Sequence, residues 1–335
     1  MMCAVALASS CATAPPAAAP ASCSHELETA EAAFANGDIA LAGAWITPRG
    51  VSRAPAIVIL QGSGTSDRNN AWAAMIAHEL ASCGIAVLLT DKRGSGRSGG
   101  DWRTSSMLDL AADGAAALAW AAGQDGVDRD RIGFLGLSQG GQVAPAAATL
   151  APETDFIVSW VSSVGPMKQA LLYELEQTYR QHGLDDASIA LLQNMARASF
   201  TWLETGEGWD RYIALRSELA SGPLARGVES WPTEQDHSYW TFWRLNGGYD
   251  ALPYWRAATE DRGMPALSIL GADDALDNVD VTSTARLLAN HASAVRVIVL
   301  PGVGHSLRTD RGDIHPTALE RTRAMAFAAA PGSAP

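Results

Sequence analysis

The chain has 335 residues, a formal net charge of −12 at pH 7 and an apolar fraction of 47%. This length can bury one large α/β core with an insertion, or two small domains. The acidity argues against a nucleic-acid-binding surface and against a polybasic membrane patch, because both require clustered Lys and Arg side chains. We therefore predict no nucleic-acid partner, and we attribute the charge to solubility.

Residues 1–24 are a short apolar run followed by a tract rich in alanine and proline. The run resembles the end of a bacterial export signal, and Cys11 follows a small residue, as a lipoprotein acylation site does. The apolar run is too short to be a membrane-spanning helix. We therefore expect an exported protein, either periplasmic or tethered by a lipid at Cys11. The alternative is a disordered tail from a misassigned start, on a cytoplasmic protein.

The four cysteines are Cys3, Cys11, Cys23 and Cys83. They show neither the spacing of metal ligands nor the pattern of a disulfide framework. Cys83 lies alone near the end of a predicted helix, without the local setting of a catalytic nucleophile. We predict no metal site and no disulfide framework.

Strands and helices alternate along most of the chain, which predicts a mostly parallel sheet flanked by helices. Weak alternation over residues 26–48 predicts a hairpin or edge strands. Continuous apolar runs predict buried strands at residues 54–61, 85–90, 132–137, 156–163, 265–270 and 295–300. Helical patterns cover about residues 70–82, the residues after 139, and residues 282–290 and 316–329. Another helix, capped by Thr104 or Ser105, should end near residue 122.

The alternation stops after the strand near 156–163. Residues 166–248 carry amphipathic helical patterns and no convincing strand, so we predict a helical cap inserted into a core built from residues 25–165 and 249–330. Of the 23 aromatic residues, 12 lie between Phe200 and Trp255. These side chains either fill the core of the cap or line an apolar pocket for a ligand, and both roles can hold together.

The motif Gly136-Leu-Ser138-Gln-Gly140 lies between a buried strand and a helix of small residues. This setting is typical of a nucleophile elbow, in which glycines let strand and helix approach and the serine hydroxyl is exposed. The same pattern occurs in Gly96-Arg-Ser98-Gly-Gly100, where the surroundings are polar and predict a turn. Ser138 is therefore the predicted nucleophile.

The partners of Ser138 should follow later strands, because ligands bind at the carboxyl ends of parallel strands. Of the seven histidines, only His305 directly follows a predicted strand. The acid should lie in the loop after residues 265–270, where Asp274 is the first choice, Asp277 the second and Asp273 the third. Ser138, Asp274 and His305 occur in the chain order of the α/β-hydrolase triad.

The chain resembles an α/β-hydrolase of the esterase and peptidase-like serine hydrolases. Besides the elbow, the resemblance rests on the motifs Gln61-Gly-Ser-Gly64, Asp91-Lys-Arg-Gly-x-Gly-x-Ser98, Gly271-x-x-Asp274 and Gly304-His305. The resemblance implies the α/β-hydrolase fold and two-step acyl transfer without a cofactor. It implies an oxyanion hole made by the N–H of Gln139 and an N–H of Gly62 or Ser63. Gln61 stands where such enzymes commonly have histidine, and Asp91 and Arg93 are expected to brace loops.

The predicted activity is hydrolysis of a small-molecule carboxylic ester or related acyl compound. An alternative is a peptidase or aminopeptidase of the same fold, in which Glu204, Glu207 and Asp210 receive a substrate ammonium or simply form a solvated helix face. A catalytically silent binding module is the third interpretation. The sequence gives no indication of the oligomeric state.

Overall fold

The computed structural model describes residues 23–276 and 278–328, and within them eight strands form one sheet in the order β1-β2-β4-β3-β5-β6-β7-β8. From β3 to β8 neighbouring strands are parallel, whereas the hairpin β1–β2 is antiparallel and β2 pairs antiparallel with β4. The strands are β1 Leu27–Asn36, β2 Ile39–Pro48, β3 Ala54–Leu60, β4 Ala86–Thr90, β5 Val127–Leu137, β6 Phe156–Trp160, β7 Ala266–Gly271 and β8 Val295–Leu300. The fold class predicted from the motifs is confirmed.

Helices cover both faces of the sheet, which explains why the central strands are apolar along their whole length. Every residue of β3 and β4 is buried. Successive side chains of β3 enter opposite cores, since Ile57 packs in one apolar cluster and Val58 in the other. The continuous apolar runs in the sequence therefore correspond to strands covered on two sides.

The helices are α1 Ala71–Ser82, α2 Met107–Ala122, α3 Gln139–Leu150, α4 Met167–Gln181, α5 Asp186–Thr205, α6 Trp209–Ala220, α7 Ser238–Asn246, α8 Leu252–Arg256, α9 Val281–His291 and α10 Pro316–Phe327. Ser106, and not the predicted Thr104 or Ser105, caps α2 through a capping box with Asp109. In the described part of the chain, no helix is long and apolar enough to cross a membrane.

Helices α4 to α8 form an insertion between β6 and β7, and its described residues include no strand. The insertion has its own apolar core, in which Trp202, Tyr212, Trp231 and Trp240 are buried. Trp255 of α8 packs instead into the main core beside the sheet. The aromatic residues of the insertion therefore supply a core that several short helices could not otherwise fill.

A disulfide joins Cys23 to Cys83, so the prediction that the chain has no disulfide framework was wrong. The two cysteines are 60 residues apart in sequence, and no local pattern links them. They meet because the segment before β1 runs beside the end of α1, where the N–H of His25 donates to the carbonyl of Ser82 (3.0 Å). Cys3 and the proposed acylation site Cys11 lie outside the described residues.

Removing this disulfide is expected to lower the free energy of unfolding by about 2–4 kcal/mol, because the bond restricts the unfolded chain over a long loop. Cys23→Ser and Cys83→Ser should each show this decrease in urea unfolding, and the double variant should lose no more than either one. Wild-type protein unfolded in the presence of a thiol reductant is the matched control. Equal midpoints with and without reductant would contradict the prediction.

Candidate active site

Ser138 lies at the sharp turn between β5 and α3, with φ 52° and ψ −119°. This backbone conformation is strained for a residue with a side chain, and such strain concentrates at functional sites. The flanking glycines are required sterically. A Cβ on Gly136 would lie 2.3 Å from the carbonyl oxygen of Gly140, and one on Gly140 would lie 2.1 Å from that of Leu60.

The second Gly-x-Ser-x-Gly match has a different role in the structure. The hydroxyl of Ser98 is buried, donates to the carbonyl of Asp91 (2.7 Å) and accepts from the N–H of Ala42 (3.0 Å). Ser98 therefore ties the loop after β4 to β2, and it does not line the pocket described below.

Ser138, His305 and Asp274 form one chain of hydrogen-bonding contacts. Nε2 of His305 lies 3.0 Å from Oγ of Ser138, and Nδ1 lies 2.9 Å from both carboxylate oxygens of Asp274. Asp274 is fully buried, whereas Asp273 is exposed, and the rival Asp277 lies outside the described residues. The structure thus brings together the three residues selected first from the sequence.

The loops that carry the acid and the histidine are fastened to each other and to α1. The N–H of Asp273 donates to the carbonyl of Val303 (3.1 Å), and a Cβ on Gly271 would lie 2.3 Å from that same oxygen. The indole of Trp72 donates to the carbonyl of Ser306 (2.8 Å). Trp72 could not be predicted from the sequence, because the pattern of α1 gives no sign of which loop this side chain meets.

The predicted oxyanion donors lie on two segments next to Ser138. Gln139 is the first residue of α3, so its N–H has no acceptor within the helix. A Cβ on Gly62 would lie 3.5 Å from the Cβ of Ser138, and Ser63 lines the pocket. The side chain of Gln61 donates to the carbonyl of Thr90 (2.9 Å). Gln61 therefore braces this loop.

Two ion pairs hold the loop that follows β4. Burial alone opposes ionisation of Asp91, but hydrogen bonds from Arg68 and from the N–H of Arg97 lower the pKa of its carboxyl overall. Arg93 bonds both carboxylate oxygens of Asp113 (2.6 and 2.7 Å). Asp91 and Arg93 thus occupy the bracing positions expected of them.

A cavity of about 560 Å³ opens over Ser138 and His305, between the sheet and the insertion. Its insertion wall is largely apolar, formed by Met167, Ala170, Leu171, Tyr239, Phe242 and Trp243. The aromatic side chains of the insertion are therefore divided between two roles, since one set fills its core and another lines the cavity.

Among the described residues, one carboxylate lines the cavity, that of Glu174 on α4. Burial of its carboxyl end raises the pKa of Glu174, and the charge of Asp274 raises it further while His305 opposes the shift. The acidic residues singled out in the sequence do not line the cavity: Glu204 pairs with Lys168, and Glu207 and Asp210 are exposed. The pattern of α4 gives no sign that Glu174 points to the site.

The family model for X-Pro dipeptidyl-peptidase (S15 family) matches residues 37–305. An uncharacterized protein of Mycobacterium tuberculosis is 34% identical over 117 residues, which span 35% of this chain and 40% of that protein.

Among solved structures, an esterase of Pyrococcus furiosus shares the fold at 18% identity and a TM-score of 0.55, with 90% of each chain covered. A proline iminopeptidase of Mycobacterium smegmatis does so at 18% identity and 0.53, covering 88% of this chain and 95% of that one. These likenesses show the α/β-hydrolase fold. Since the family model matches most of the chain and its matched span includes the elbow serine and His305, the protein belongs to the S15 family of α/β-hydrolase serine hydrolases.

Proposed function

We propose that the protein hydrolyses carboxylic esters of small molecules, with Ser138 as nucleophile, His305 as general base and Asp274 as the acid that orients it. The observation that carries this proposal is the contact chain from Oγ of Ser138 through the imidazole to the buried carboxylate. A hydroxyl becomes a competent nucleophile at neutral pH when an oriented base can accept its proton.

The reaction proceeds in two steps that use the same residues. His305 takes the proton of Ser138 through Nε2 while Oγ attacks the acyl carbon, and N–H groups of the oxyanion hole bind the negative oxygen. His305 then gives its proton to the leaving alcohol, and an acyl-enzyme remains. Water attacks this ester with His305 again as base, which releases the acid and restores Ser138. No cofactor takes part in these steps.

The apolar walls of the cavity favour a substrate with an apolar acyl or alcohol group. A volume of about 560 Å³ is in the range of sites that enclose small organic ligands. Leu171, Phe242 and Trp243 offer apolar contact to such a group. We expect kcat/KM for p-nitrophenyl esters to rise from acetate to a medium-length acyl chain, because each added methylene removes further apolar surface from water.

A peptidase that requires a free amino terminus is the second candidate, and Glu174 favours it together with the family match. A carboxylate that lines the same cavity as Ser138 and His305 can receive a substrate ammonium. Parallel turnover of p-nitrophenyl esters, aminoacyl anilides and Xaa-Pro anilides separates the two candidates. The ester proposal fails if anilides are cleaved and esters are not.

Glu174→Gln distinguishes the candidates within the site. If the substrate carries an ammonium, this variant should lower kcat/KM for anilides by about tenfold to a hundredfold, the usual effect of losing a charged hydrogen bond, and leave neutral esters nearly unchanged. The control is Glu207→Gln, which removes an exposed carboxylate away from the cavity. Equal effects of Glu174→Gln on charged and neutral substrates would exclude ammonium recognition.

We further propose that the protein is exported. The Cys23–Cys83 disulfide supports this, because such bonds persist in oxidising compartments and are rare in the cytosol. The lipid anchor at Cys11 stays a prediction.

A further inference from the structure

Lys92 is a buried cation beside the proposed active site. It is one of two lysines in the chain, and only 8% of its surface is exposed. Among the described residues no carboxylate bonds its ammonium, and burial lowers the pKa of Lys92 to about 7. A buried ammonium without an ionic partner is destabilising by itself.

The ammonium bonds both segments that flank the proposed oxyanion hole. Nζ of Lys92 donates to the carbonyl oxygen of Gly62 (3.0 Å) and to the side-chain oxygen of Gln139 (2.5 Å). It also lies 5.1 Å from the ring centroid of Trp102. Lys92 does not line the cavity, whereas Ser63 and Gln139 do. The ammonium therefore contacts these segments from behind.

The contact with Gly62 determines where the next N–H points. In a planar trans peptide the carbonyl and the N–H point in opposite directions, so a carbonyl of Gly62 held toward Lys92 turns the N–H of Ser63 away from it. Because Ser63 lines the cavity and Lys92 does not, the side of this peptide away from Lys92 is the side of the cavity. In the described residues neither the N–H of Gly62 nor that of Ser63 donates to a protein acceptor, so the direction of the peptide is what distinguishes the two donors. Of the two donors left open by the sequence, the geometry therefore selects Ser63.

We propose that Lys92 is a positioning residue for the oxyanion hole: it holds the Gly62 carbonyl and the Gln139 side chain so that the N–H groups of Ser63 and Gln139 both face the reacting oxygen. This inference rests on the proposed acyl-transfer function.

The charged form of Lys92, which predominates below its pKa of about 7, suits this role for two reasons. Bonds from an ammonium are stronger than those from a neutral donor, and a polarised peptide donates more strongly through its N–H. The loop is also prone to turn, since Gly62 and Gly64 flank Ser63 and lack a Cβ that would restrict the backbone. Without Lys92, rotation of the Gly62–Ser63 peptide would point a carbonyl at the oxyanion.

The test compares Lys92→Met, which keeps length and loses charge, with Lys168→Met as the matched control. Lys168 is on the insertion and pairs with Glu204. Loss of a direct oxyanion donor lowers kcat by about 10²- to 10³-fold. For this indirect effect we expect Lys92→Met to lower kcat about tenfold to a hundredfold with nearly constant KM. Lys92→Arg should retain more activity, and Lys168→Met should equal wild type.

A second readout separates positioning from general loosening of the fold. A trifluoromethyl ketone forms a tetrahedral oxyanion adduct with the serine, whereas the corresponding alcohol binds without one. Lys92→Met should weaken inhibition by the ketone by the same factor as kcat/KM and leave the affinity for the alcohol unchanged. Equal weakening of both ligands would overturn the proposal.

Failure of this inference is distinguishable from failure of the proposed function. If wild type is active, Ser138→Ala is inactive and Lys92→Met equals Lys168→Met, only the role of Lys92 is overturned. If Ser138→Ala retains activity, the proposed function itself falls. Should Lys92→Met not fold, wild type labelled with ¹³C at the lysine ε-carbons gives two signals. The Lys92 signal should shift on formation of the ketone adduct and the Lys168 signal should not, and an unmoved Lys92 signal overturns the proposal.

Discussion

Replacing Ser138 by alanine is expected to lower kcat for a p-nitrophenyl ester by about 10⁴- to 10⁶-fold, as in other serine hydrolases that lose the nucleophile. Alanine keeps the Cβ and removes only the oxygen that lies 3.0 Å from Nε2 of His305. The variant should therefore fold and bind substrate but form no acyl-enzyme. Steady-state turnover and labelling by a fluorophosphonate probe measure the two losses.

Ser98→Ala is the matched control, because it removes the serine of the second Gly-x-Ser-x-Gly match. Loss of its two buried hydrogen bonds should lower the free energy of unfolding by about 1–3 kcal/mol. Its kcat should remain close to that of wild type, since Ser98 does not line the cavity. Undiminished turnover by Ser138→Ala would refute the assignment of the nucleophile.

Asp274→Asn is expected to lower kcat by about 10⁴-fold with little change in the overall structure. The carboxylate of Asp274 accepts from Nδ1 of His305 at 2.9 Å and is shielded from water. An asparagine in its place no longer selects the tautomer in which Nε2 can accept the proton of Ser138, and it does not stabilise the imidazolium. Turnover measured on folded variant protein, checked by circular dichroism, tests this.

Asp273→Asn and Asp277→Asn are the comparison variants, because both residues were alternatives to Asp274 as the predicted acid. Asp273 is exposed, so its amide variant should keep nearly full activity. We expect the same of Asp277→Asn. A large loss in Asp277→Asn with a small loss in Asp274→Asn would transfer the role of the acid to Asp277.

The elbow illustrates what local sequence can reveal. Gly136 and Gly140 are required because a Cβ at either would collide with nearby backbone, so the turn leaves a readable pattern. The same pattern around Ser98 does not indicate a nucleophile, and only the polar surroundings separated the two. A local steric requirement is thus visible in the sequence, whereas the role of a serine depends on which strands, helices or loops the neighbouring residues form.

The positions of the histidine and the acid could be predicted from the sequence for a different reason. Parallel strands carry their active-site loops at one edge, so the position of a residue directly after a buried strand predicts where it meets others. His305 and the loop of Asp274 are predictable in this way. Which of the neighbouring carboxylates acts as the acid could not be predicted, because their burial depends on the turn of the backbone and not on residue type.

By itself, the sequence determined the alternation of buried strands and helices, the interruption after the strand near 156–163 and the order of the motif loops, because these follow from apolar periodicity and steric limits close in the chain. Only the tertiary structure decided the Cys23–Cys83 disulfide, the place of Glu174 in the cavity and the bond of Lys92 to the carbonyl of Gly62. Each of these joins elements that are distant in sequence, and a lysine or glutamate in a polar segment looks the same whether it meets water or a buried partner.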